Sequence, residues 1–219
     1  MSGAQVLDSV WLRRHPLPVH PEDTDKNSRG RLMLVGGSTL VPGGLTLTAT
    51  AAFRAGAGKV QIALPEPLAI PTGMAMPESG IFGLPTGPDG EIADCSPVAD
   101  KLAPCDCLAL GPAVGTTEAG GVILDSLLPH AGSAPVIIDA AAVCAGIDRQ
   151  DAIAALPGGA ILTPHVGEMA LLTGLPAAEI EADRETVVLE QARRLRAVVL
   201  IKGATTVIAS PDGEIIVYG

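Results

Sequence analysis

Six short apolar runs, separated by longer segments of helical character, constrain the fold of this chain most. They are residues 32–35, 60–64, 107–110, 136–138, 160–162 and 198–201. Runs of this length and composition are typical of strands buried on both faces of a parallel sheet. The segments 45–55, 117–128 and 184–195 between them have helical character, and Asp183 is a suitable N-cap for the last. The alternation predicts an α/β fold in which a mainly parallel sheet is flanked by helices.

Two segments depart from this alternation. Residues 65–91 are rich in Pro and Gly and contain the turn Pro88-Asp89-Gly90. They are predicted to form a loop and a small hairpin at an edge of the sheet. The turn Pro211-Asp212-Gly213 separates residues 205–209 from 214–218, which predicts a second hairpin. The sequence ends at Gly219 directly after this hairpin. Because no helix follows to cover the sheet there, we expect the C-terminal part of the domain to be missing.

Charge and composition exclude several classes of function. The 219 residues carry 24 acidic and 14 basic side chains, a net charge of −10, which disfavours binding to nucleic acid or to an anionic membrane surface. No apolar run approaches the roughly 20 residues that span a bilayer. The first thirty residues lack the pattern of a signal peptide, so a cytoplasmic location is predicted. Four cysteines are too few for a disulfide framework, and free thiols are expected.

The residues that follow the predicted strands are the candidates for a binding site. In open parallel sheets, ligands bind beyond the carboxyl ends of the strands. Glycines there let a backbone approach a phosphate or a flat ring, and a cation can neutralise phosphate. The candidates are Gly36-Gly37-Ser38-Thr39 with Pro42-Gly43-Gly44, then Gly111 to Gly115, Asp139, Thr163 to Glu168, and Lys202 to Thr206.

Each candidate also has a purely structural interpretation. The glycines could simply form strand-to-helix turns, His165 and Glu168 could belong to a helix cap, and Lys202 could be a surface lysine. Cys105 and Cys107 are interpreted as core residues rather than as metal ligands. The other histidines, His15, His20 and His130, show no zinc-ligand spacing, so no metal-ligating residues are assigned.

Taken together and in this order, the motifs resemble those of the ADP-dependent NAD(P)H-hydrate dehydratases. The motifs include Arg54-Ala55-Gly56-Ala57-Gly58, and the resemblance extends from about Lys26 to the end of the chain. It implies a three-layer, ribokinase-like domain over residues 26–219, preceded by an N-terminal extension over 1–25. It also implies a lyase that repairs hydrated NADH or NADPH. In that family ADP or ATP, with Mg²⁺, phosphorylates the added hydroxyl, and loss of phosphate restores the reduced cofactor and leaves AMP.

The resemblance also implies roles for individual residues. Gly44, Gly115 and His165 correspond to residues that contact the hydrated dinucleotide. The segment that contacts the AMP portion corresponds to Lys202, Gly203, Ala204, Thr205 and Thr206. The family's Gly-x-Gly-Asp motif, which carries the catalytic Asp, normally lies beyond the point where this sequence ends. No catalytic residue is therefore assigned, and we expect weak turnover unless the chain continues.

Four positions differ from the family pattern. Gly44 stands where Ala is usual, Ala113 replaces a Gly, and Val166 replaces a Pro. Ala141 replaces the second acid of an Asp-Ala-Asp motif, which could remove a contact to metal or phosphate. Two other functions stay open: a kinase of the same fold acting on a small alcohol, such as a vitamin precursor or a sugar, and a nucleotide-binding protein without catalysis. Self-association into a homo-oligomer is expected.

Overall fold

The computed structural model describes residues 4–19 and 23–219. Its strands are β1 (Gln5–Val6), β2 (Arg31–Val35), β3 (Lys59–Pro65), β4 (Gly80–Leu84), β5 (Cys107–Leu110), β6 (Val136–Ile138), β7 (Ala160–Leu162), β8 (Val198–Ile201), β9 (Thr206–Ala209) and β10 (Ile215–Tyr218). Its helices are α1 (Ser9–Arg14), α2 (Gly44–Arg54), α3 (Ala69–Ala75), α4 (Ser96–Ala99), α5 (Thr117–Leu127), α6 (Ala141–Ala145), α7 (Gln150–Ala154), α8 (Val166–Thr173), α9 (Ala177–Ala182) and α10 (Arg184–Leu195). Short 3₁₀ turns span Glu66–Leu68, Leu128–His130 and Gly146–Arg149.

The strands of the described residues form one sheet in the order β1-β10-β9-β8-β7-β6-β5-β2-β3-β4. From β4 to β8 every neighbouring pair is parallel, and β8, β9 and β10 are joined in antiparallel fashion. The six predicted strands are confirmed as β2, β3, β5, β6, β7 and β8, and the second predicted hairpin as β9–β10. The mainly parallel α/β fold is therefore confirmed.

Helices cover the two faces of the sheet unequally. Because successive side chains of a strand point to opposite faces, Met33 and Val35 pack into one apolar cluster while Leu34 packs into the other. The larger cluster contains buried residues from helices α4 to α10. The smaller one is formed mainly with α2 and the segment around α3. The domain thus has the three layers that the resemblance implied.

The face that carries α2 is open over the strands beyond β6. The register places Ile137, Ile161, Leu200 and Ile208 on this face, in line across β6 to β9. All four side chains are only half-buried. No helix of residues 4–19 and 23–219 packs over them to the degree that α10 packs over β8 and β9 from the other side. The carboxyl ends of these strands are therefore accessible from the α2 side.

The segment 65–91 differs from its sequence prediction. Instead of a loop, it contains α3 followed by β4, which pairs in parallel with β3 at the edge of the sheet. A small antiparallel contact does follow, since Thr86 bridges Ile92 across the Pro88-Asp89-Gly90 turn. Proline and glycine within α3 and β4 concealed these elements, because both residues disfavour regular structure in short segments.

The N-terminal segment closes the other edge of the sheet. Gln5 and Val6 pair in parallel with β10, and Leu7 donates a backbone hydrogen bond of 2.8 Å to Val217. Helix α1 follows, with the Asp8 carboxylate accepting from the amides of Val10 and Trp11 at 2.8 Å. Residues 1–3 and 20–22, which include His20, lie outside the described residues. In the described part of the chain, no helix is both long and apolar enough to cross a membrane.

Candidate functional site

The carboxyl ends of five neighbouring strands lie side by side along one end of the sheet. In the order β2, β5, β6, β7 and β8, each strand pairs in parallel with the next. The candidate turns chosen from the sequence are the ones that follow these strands. We call the turns at these strand ends the rim, and define it as residues 36–44, 111–115, 139, 163–168 and 202–206. The rim is the place where an open parallel sheet binds ligands.

At one end of the rim, two glycine turns lie against each other. The amide of Gly37 donates to the carbonyl of Pro112 at 2.8 Å. A Cβ on Gly44, the first residue of α2, would collide with the Cβ of Ala113. Gly44 is half-buried and Gly115 is exposed. The structure therefore brings these two predicted binding residues to one end of the rim.

The contact between Gly44 and Ala113 explains two departures from the family pattern at once. The resemblance places Ala at position 44 and Gly at position 113, whereas this chain has the reverse. Since the two Cβ positions overlap, there is room for one methyl group, and either residue can supply it. Ala113 supplies it here at a φ of 58°, in the left-handed region that favours glycine. The two substitutions therefore compensate each other sterically.

The other end of the rim carries charge. The ammonium group of Lys202 lies 3.0 Å from the Asp139 carboxylate and 3.8 Å from the Glu168 carboxylate. Thr163 donates its hydroxyl to the same Asp139 oxygen at 2.6 Å. The Lys202 side chain is 44% exposed, so its ammonium group faces solvent as well as the two acids. Lys202 therefore combines two acidic partners with a side chain that remains open to solvent.

His165 is the N-cap of α8. Its Nδ1 accepts from the amides of Gly167 at 2.9 Å and Glu168 at 3.2 Å, and the Glu168 carboxylate accepts from the His165 amide at 2.8 Å. Because Nδ1 is an acceptor, the proton of the neutral ring is on Nε2. The ring is 58% exposed. Its Nε2 lies 3.5 Å from the other oxygen of Glu168, so the ring that caps α8 also contacts this carboxylate while it remains exposed. The sequence could not distinguish a cap from a binding residue.

The glycine end and the charged end are in direct contact. A Cβ on Gly111, which belongs to the glycine end, would collide with the carbonyl of Asp139, which belongs to the charged end. Within the charged end, the amide of Lys202 donates to the carbonyl of Pro164 at 2.8 Å. An open cavity of about 460 Å³ lies between α2 and the sheet. Thr48, Pro112, Asp139, Thr163 and Lys202 are among its lining residues. The rim therefore borders a cavity large enough for a ligand.

The turn from Lys202 to Thr206 is held by a residue that sequence reasoning missed. Arg184, the first residue of α10, donates to the carbonyl of Thr205 at 2.6 Å and pairs with Glu181 at 2.7 Å. Gly203, Ala204 and Thr205 are exposed. No sequence signal distinguished Arg184, because an arginine in the first turn of a helix is an ordinary surface residue.

The four cysteines are free thiols, as expected; Cys95, Cys105 and Cys144 are buried, whereas Cys107, also interpreted as a core residue, is only half-buried. Burial raises the pKa of all four, that of Cys95 to about 12, so they are protonated and unreactive at neutral pH. Among residues 4–19 and 23–219, no group of three or more His, Cys, Asp or Glu side chains is arranged to hold a metal.

A second cavity is remote from the rim. It has a volume of about 300 Å³ and lies between the end of α5 and α7. Its arginine, Arg149, is already paired with both oxygens of Asp125 at 2.7 Å. The remaining lining is mostly apolar, so this cavity offers no uncommitted polar group.

Comparison with known proteins identifies relatives. A family model described as NAD(P)H-hydrate dehydratase matches residues 32–218. An ADP-dependent (S)-NAD(P)H-hydrate dehydratase of Xanthomonas campestris is 36% identical over 100% of this chain and 74% of its own length. A bifunctional NAD(P)H-hydrate repair enzyme of Moorella thermoacetica is 38% identical over 96% of this chain. This chain spans only 40% of the length of that enzyme.

Solved structures agree with the sequence relatives. The ADP/ATP-dependent NAD(P)H-hydrate dehydratase of Bacillus subtilis, co-crystallised with ATP and Mg²⁺, matches all of this chain and 73% of its own, with a TM-score of 0.78 and 28% identity. A ribokinase-like protein of Enterococcus faecalis matches with a TM-score of 0.82 at 21% identity, which supports the fold alone. The family model, the relatives and the fold lead to one conclusion: the chain belongs to the NAD(P)H-hydrate dehydratase family.

Proposed function

We propose that this protein takes part in the ADP-dependent dehydration of hydrated NADH or NADPH. The observation that carries the proposal is the rim, where a glycine end and a charged end meet at neighbouring strand ends beside one cavity. The family match over residues 32–218 supports the choice of reaction. A kinase acting on a small alcohol shares the fold, but no contact at the rim favours it.

The glycine end is proposed to bind the hydrated dinucleotide. Gly44 packs directly against Ala113 and Gly115 against Glu91, so this end of the rim presents backbone rather than side chains of its own at these two positions. His165 presents its Nε2 proton as a hydrogen-bond donor to the same ligand. The exposure of Gly115 and His165 supports these roles.

The charged end is proposed to bind ADP. Lys202 would neutralise the phosphate that is transferred, and the exposed residues Gly203, Ala204 and Thr205, with the half-buried Thr206, would contact the AMP portion. Phosphoryl transfer depends mainly on positioning and charge neutralisation, and this end of the rim supplies both. Arg184 would keep the turn in place through its bond to Thr205.

The residues at the charged end also fit a magnesium ion carried by the nucleotide. Mg²⁺ is usually held by one or two carboxylates together with substrate phosphates. Asp139 and Glu168 are two such carboxylates, and both face Lys202. These two residues would hold the ion, which would neutralise phosphate charge when bound. The remaining ligands of the ion would come from the phosphates of the nucleotide and from water, so the protein does not have to supply all of them.

The proposed reaction has two steps. The added hydroxyl of the substrate attacks the terminal phosphorus of ADP, the bond to AMP breaks, and the hydroxyl loses its proton. The carbon–oxygen bond then breaks, inorganic phosphate leaves, and a proton is lost from the adjacent ring carbon, which restores the dihydropyridine. The rim residues contribute by holding the two ligands so that the hydroxyl faces the phosphorus.

The experiment is an assay of the protein with hydrated NADH, ADP and Mg²⁺. We expect the dihydropyridine absorbance to recover in step with release of inorganic phosphate, and only when ADP is present. Lys202→Met should lower the rate at least tenfold, because the phosphate loses its cation. Lys59→Met is the matched control, since Lys59 is exposed at the opposite, amino end of β3. A stable phosphorylated alcohol without recovery of absorbance would identify a kinase and exclude the dehydratase.

A further inference from the structure

A buried carboxylate lies directly beside the glycine end of the rim. Glu91 is only 3% exposed, and its Oε2 accepts from the amide of Gly115 at 3.1 Å. Its other oxygen, Oε1, is buried without a hydrogen-bond partner. A Cβ on Gly115 would collide with this oxygen, and the hydroxyl oxygen of Ser38 lies 3.7 Å from the same point. Glu91 therefore lies between two glycine turns of the rim.

The segment that carries Glu91 is itself fixed to the rim. The amide of Thr39 donates to the carbonyl of Gly90 at 3.4 Å, and the amide of Glu91 donates to the Asp89 carboxylate at 3.1 Å. Gly87 donates to the Glu91 carbonyl at 2.9 Å. Both ends of the Glu91 side chain are thus anchored, one in this turn and the other at Gly115. Glu91 also lines an open cavity of about 450 Å³ that includes Thr116.

Stability alone does not explain a glutamate at position 91. A buried polar atom without a partner destabilises a fold by about 1–3 kcal/mol, and more when it is charged. The hydrogen bond that Glu91 accepts from the Gly115 amide does not explain the burial, because Gly115 is an exposed residue that does not depend on a buried acceptor. An apolar side chain would pack at this position at lower cost. Buried groups of this kind are retained where function needs them.

We infer that Glu91 is a positioning residue for the hydrated dinucleotide, acting through its hydrogen bond to Gly115. The bond fixes the 111–115 turn against the turn that contains Ser38. This inference rests on the proposed function, because Gly115 is assigned to the dinucleotide there. Glu91 belongs to the glycine end of the rim, whereas ADP is assigned to the Lys202 end, so its effect is specific to one of the two ligands.

The test measures dissociation constants by calorimetry, separately for hydrated NADH without ADP and for ADP alone. Glu91→Ala should weaken binding of hydrated NADH about tenfold and leave ADP binding within about twofold. Glu91→Gln keeps an oxygen that can accept from Gly115, and should restore binding to within about threefold of the native protein. Glu118→Gln is the control, because Glu118 lines the same cavity but is exposed. It should change neither constant.

A double-mutant cycle keeps the inference testable even where Glu91→Ala lowers stability. Gly115→Ala places a methyl group against Glu91 and should also weaken binding of hydrated NADH. In the Glu91→Ala background, Gly115→Ala should raise the dissociation constant of hydrated NADH by a smaller factor than in the native protein. The reason is that the collision with Glu91 and the hydrogen bond to it are both already absent. Additive effects, equal loss of both ligands, or Gln behaving like Ala would each overturn the inference. Binding and turnover are separate measurements, so a protein that binds both ligands without turnover contradicts the proposed function and still tests Glu91.

Discussion

At the scale of single residues, the most informative contact is the one between Gly44 and Ala113. Two positions that differ from the family pattern turn out to share one space, which neither position reveals alone. Sequence reasoning identified both departures but could not connect them, because they lie 69 residues apart, one at the start of α2 and the other in the turn after β5. Their pairing follows only from the tertiary structure.

This contact predicts a stability cycle. Gly44→Ala alone should lower the free energy of unfolding by about 1–3 kcal/mol, because two methyl groups would overlap. Ala113→Gly removes both the overlap and the left-handed alanine at φ 58°. The double variant should therefore be at least as stable as the native protein, because the overlap and the left-handed alanine are both absent from it. Urea unfolding of the native protein, the two single variants and the double variant measures these free energies. If the effects of the two single substitutions simply add in the double variant, the two methyl groups do not compete for one space.

His165 allows capping to be separated from binding. His165→Ala should lower the free energy of unfolding by about 1 kcal/mol through loss of the cap. His165→Asn should keep the cap, since asparagine is a good N-cap, and yet weaken binding of hydrated NADH about tenfold through loss of the Nε2 donor. Thermal unfolding and calorimetry on the same samples make the comparison. Native-like binding by the Asn variant would show that His165 is only a cap.

The burial of Glu91 could not be predicted from the local sequence. The four residues Pro88-Asp89-Gly90-Glu91 recur as Pro211-Asp212-Gly213-Glu214. Both form turns, as predicted, but Glu214 is exposed and accepts from Gln5, whereas Glu91 is buried beside Gly115. Identical local chemistry therefore has opposite surroundings. Only the packing of the turn against the rim distinguishes a solvated carboxylate from a buried one.

At the scale of elements, the six short apolar strands were the most predictable part, although the sequence did not show that β7 and β8 are only half-buried on the α2 side. Their composition is almost entirely Val, Ile, Leu and Ala, because both faces need apolar side chains. Helix α10 was also predictable, and Asp183 caps it by accepting from Thr186 at 3.2 Å. Elements at the edge, such as α3 and β4, were missed, because edge strands tolerate glycine and carry weaker apolar patterns.

The pair of Arg149 and Asp125 links α5 to the turn before α7. The Arg149 guanidinium holds the pKa of the Asp125 carboxyl below its usual value of about 4. A lowered pKa stabilises the fold above that value, and this contribution is lost as the pH falls through the lowered pKa. Asp125 is largely exposed, so the contribution is below about 1 kcal/mol.

Asp125→Asn should therefore be less stable than the native protein at pH 7, and the difference should shrink as the pH falls below about 4. Urea unfolding at several pH values measures both proteins. Asp151→Asn is a useful control, because Asp151 is an exposed acid on the neighbouring α7. A difference for Asp125→Asn that stays constant with pH would contradict the assignment of the ion pair.

At the scale of the whole molecule, sequence reasoning predicted that the candidate turns lie at the same ends of neighbouring strands, but not which turns are neighbours. Neighbouring parallel strands must end at one edge, so turns that follow five such strands necessarily meet there. The order of the strands, which places β5 between β2 and β6, cannot be read from the sequence. That order brings Gly44 beside Ala113 and Asp139 beside Lys202, and thus determines which turns are neighbours.

The most direct test of the shared rim is calorimetric titration of ADP into the protein, first alone and then saturated with NADH, which carries the unhydrated ring and cannot react. Two adjacent sites predict that ADP binds with an unchanged or lower dissociation constant in the presence of NADH. Lys202→Met should weaken ADP binding at least tenfold and leave NADH binding unchanged. If the dissociation constant of ADP instead rises in proportion to the NADH concentration, the ligands compete for one site, and the account of two nucleotides held side by side is wrong.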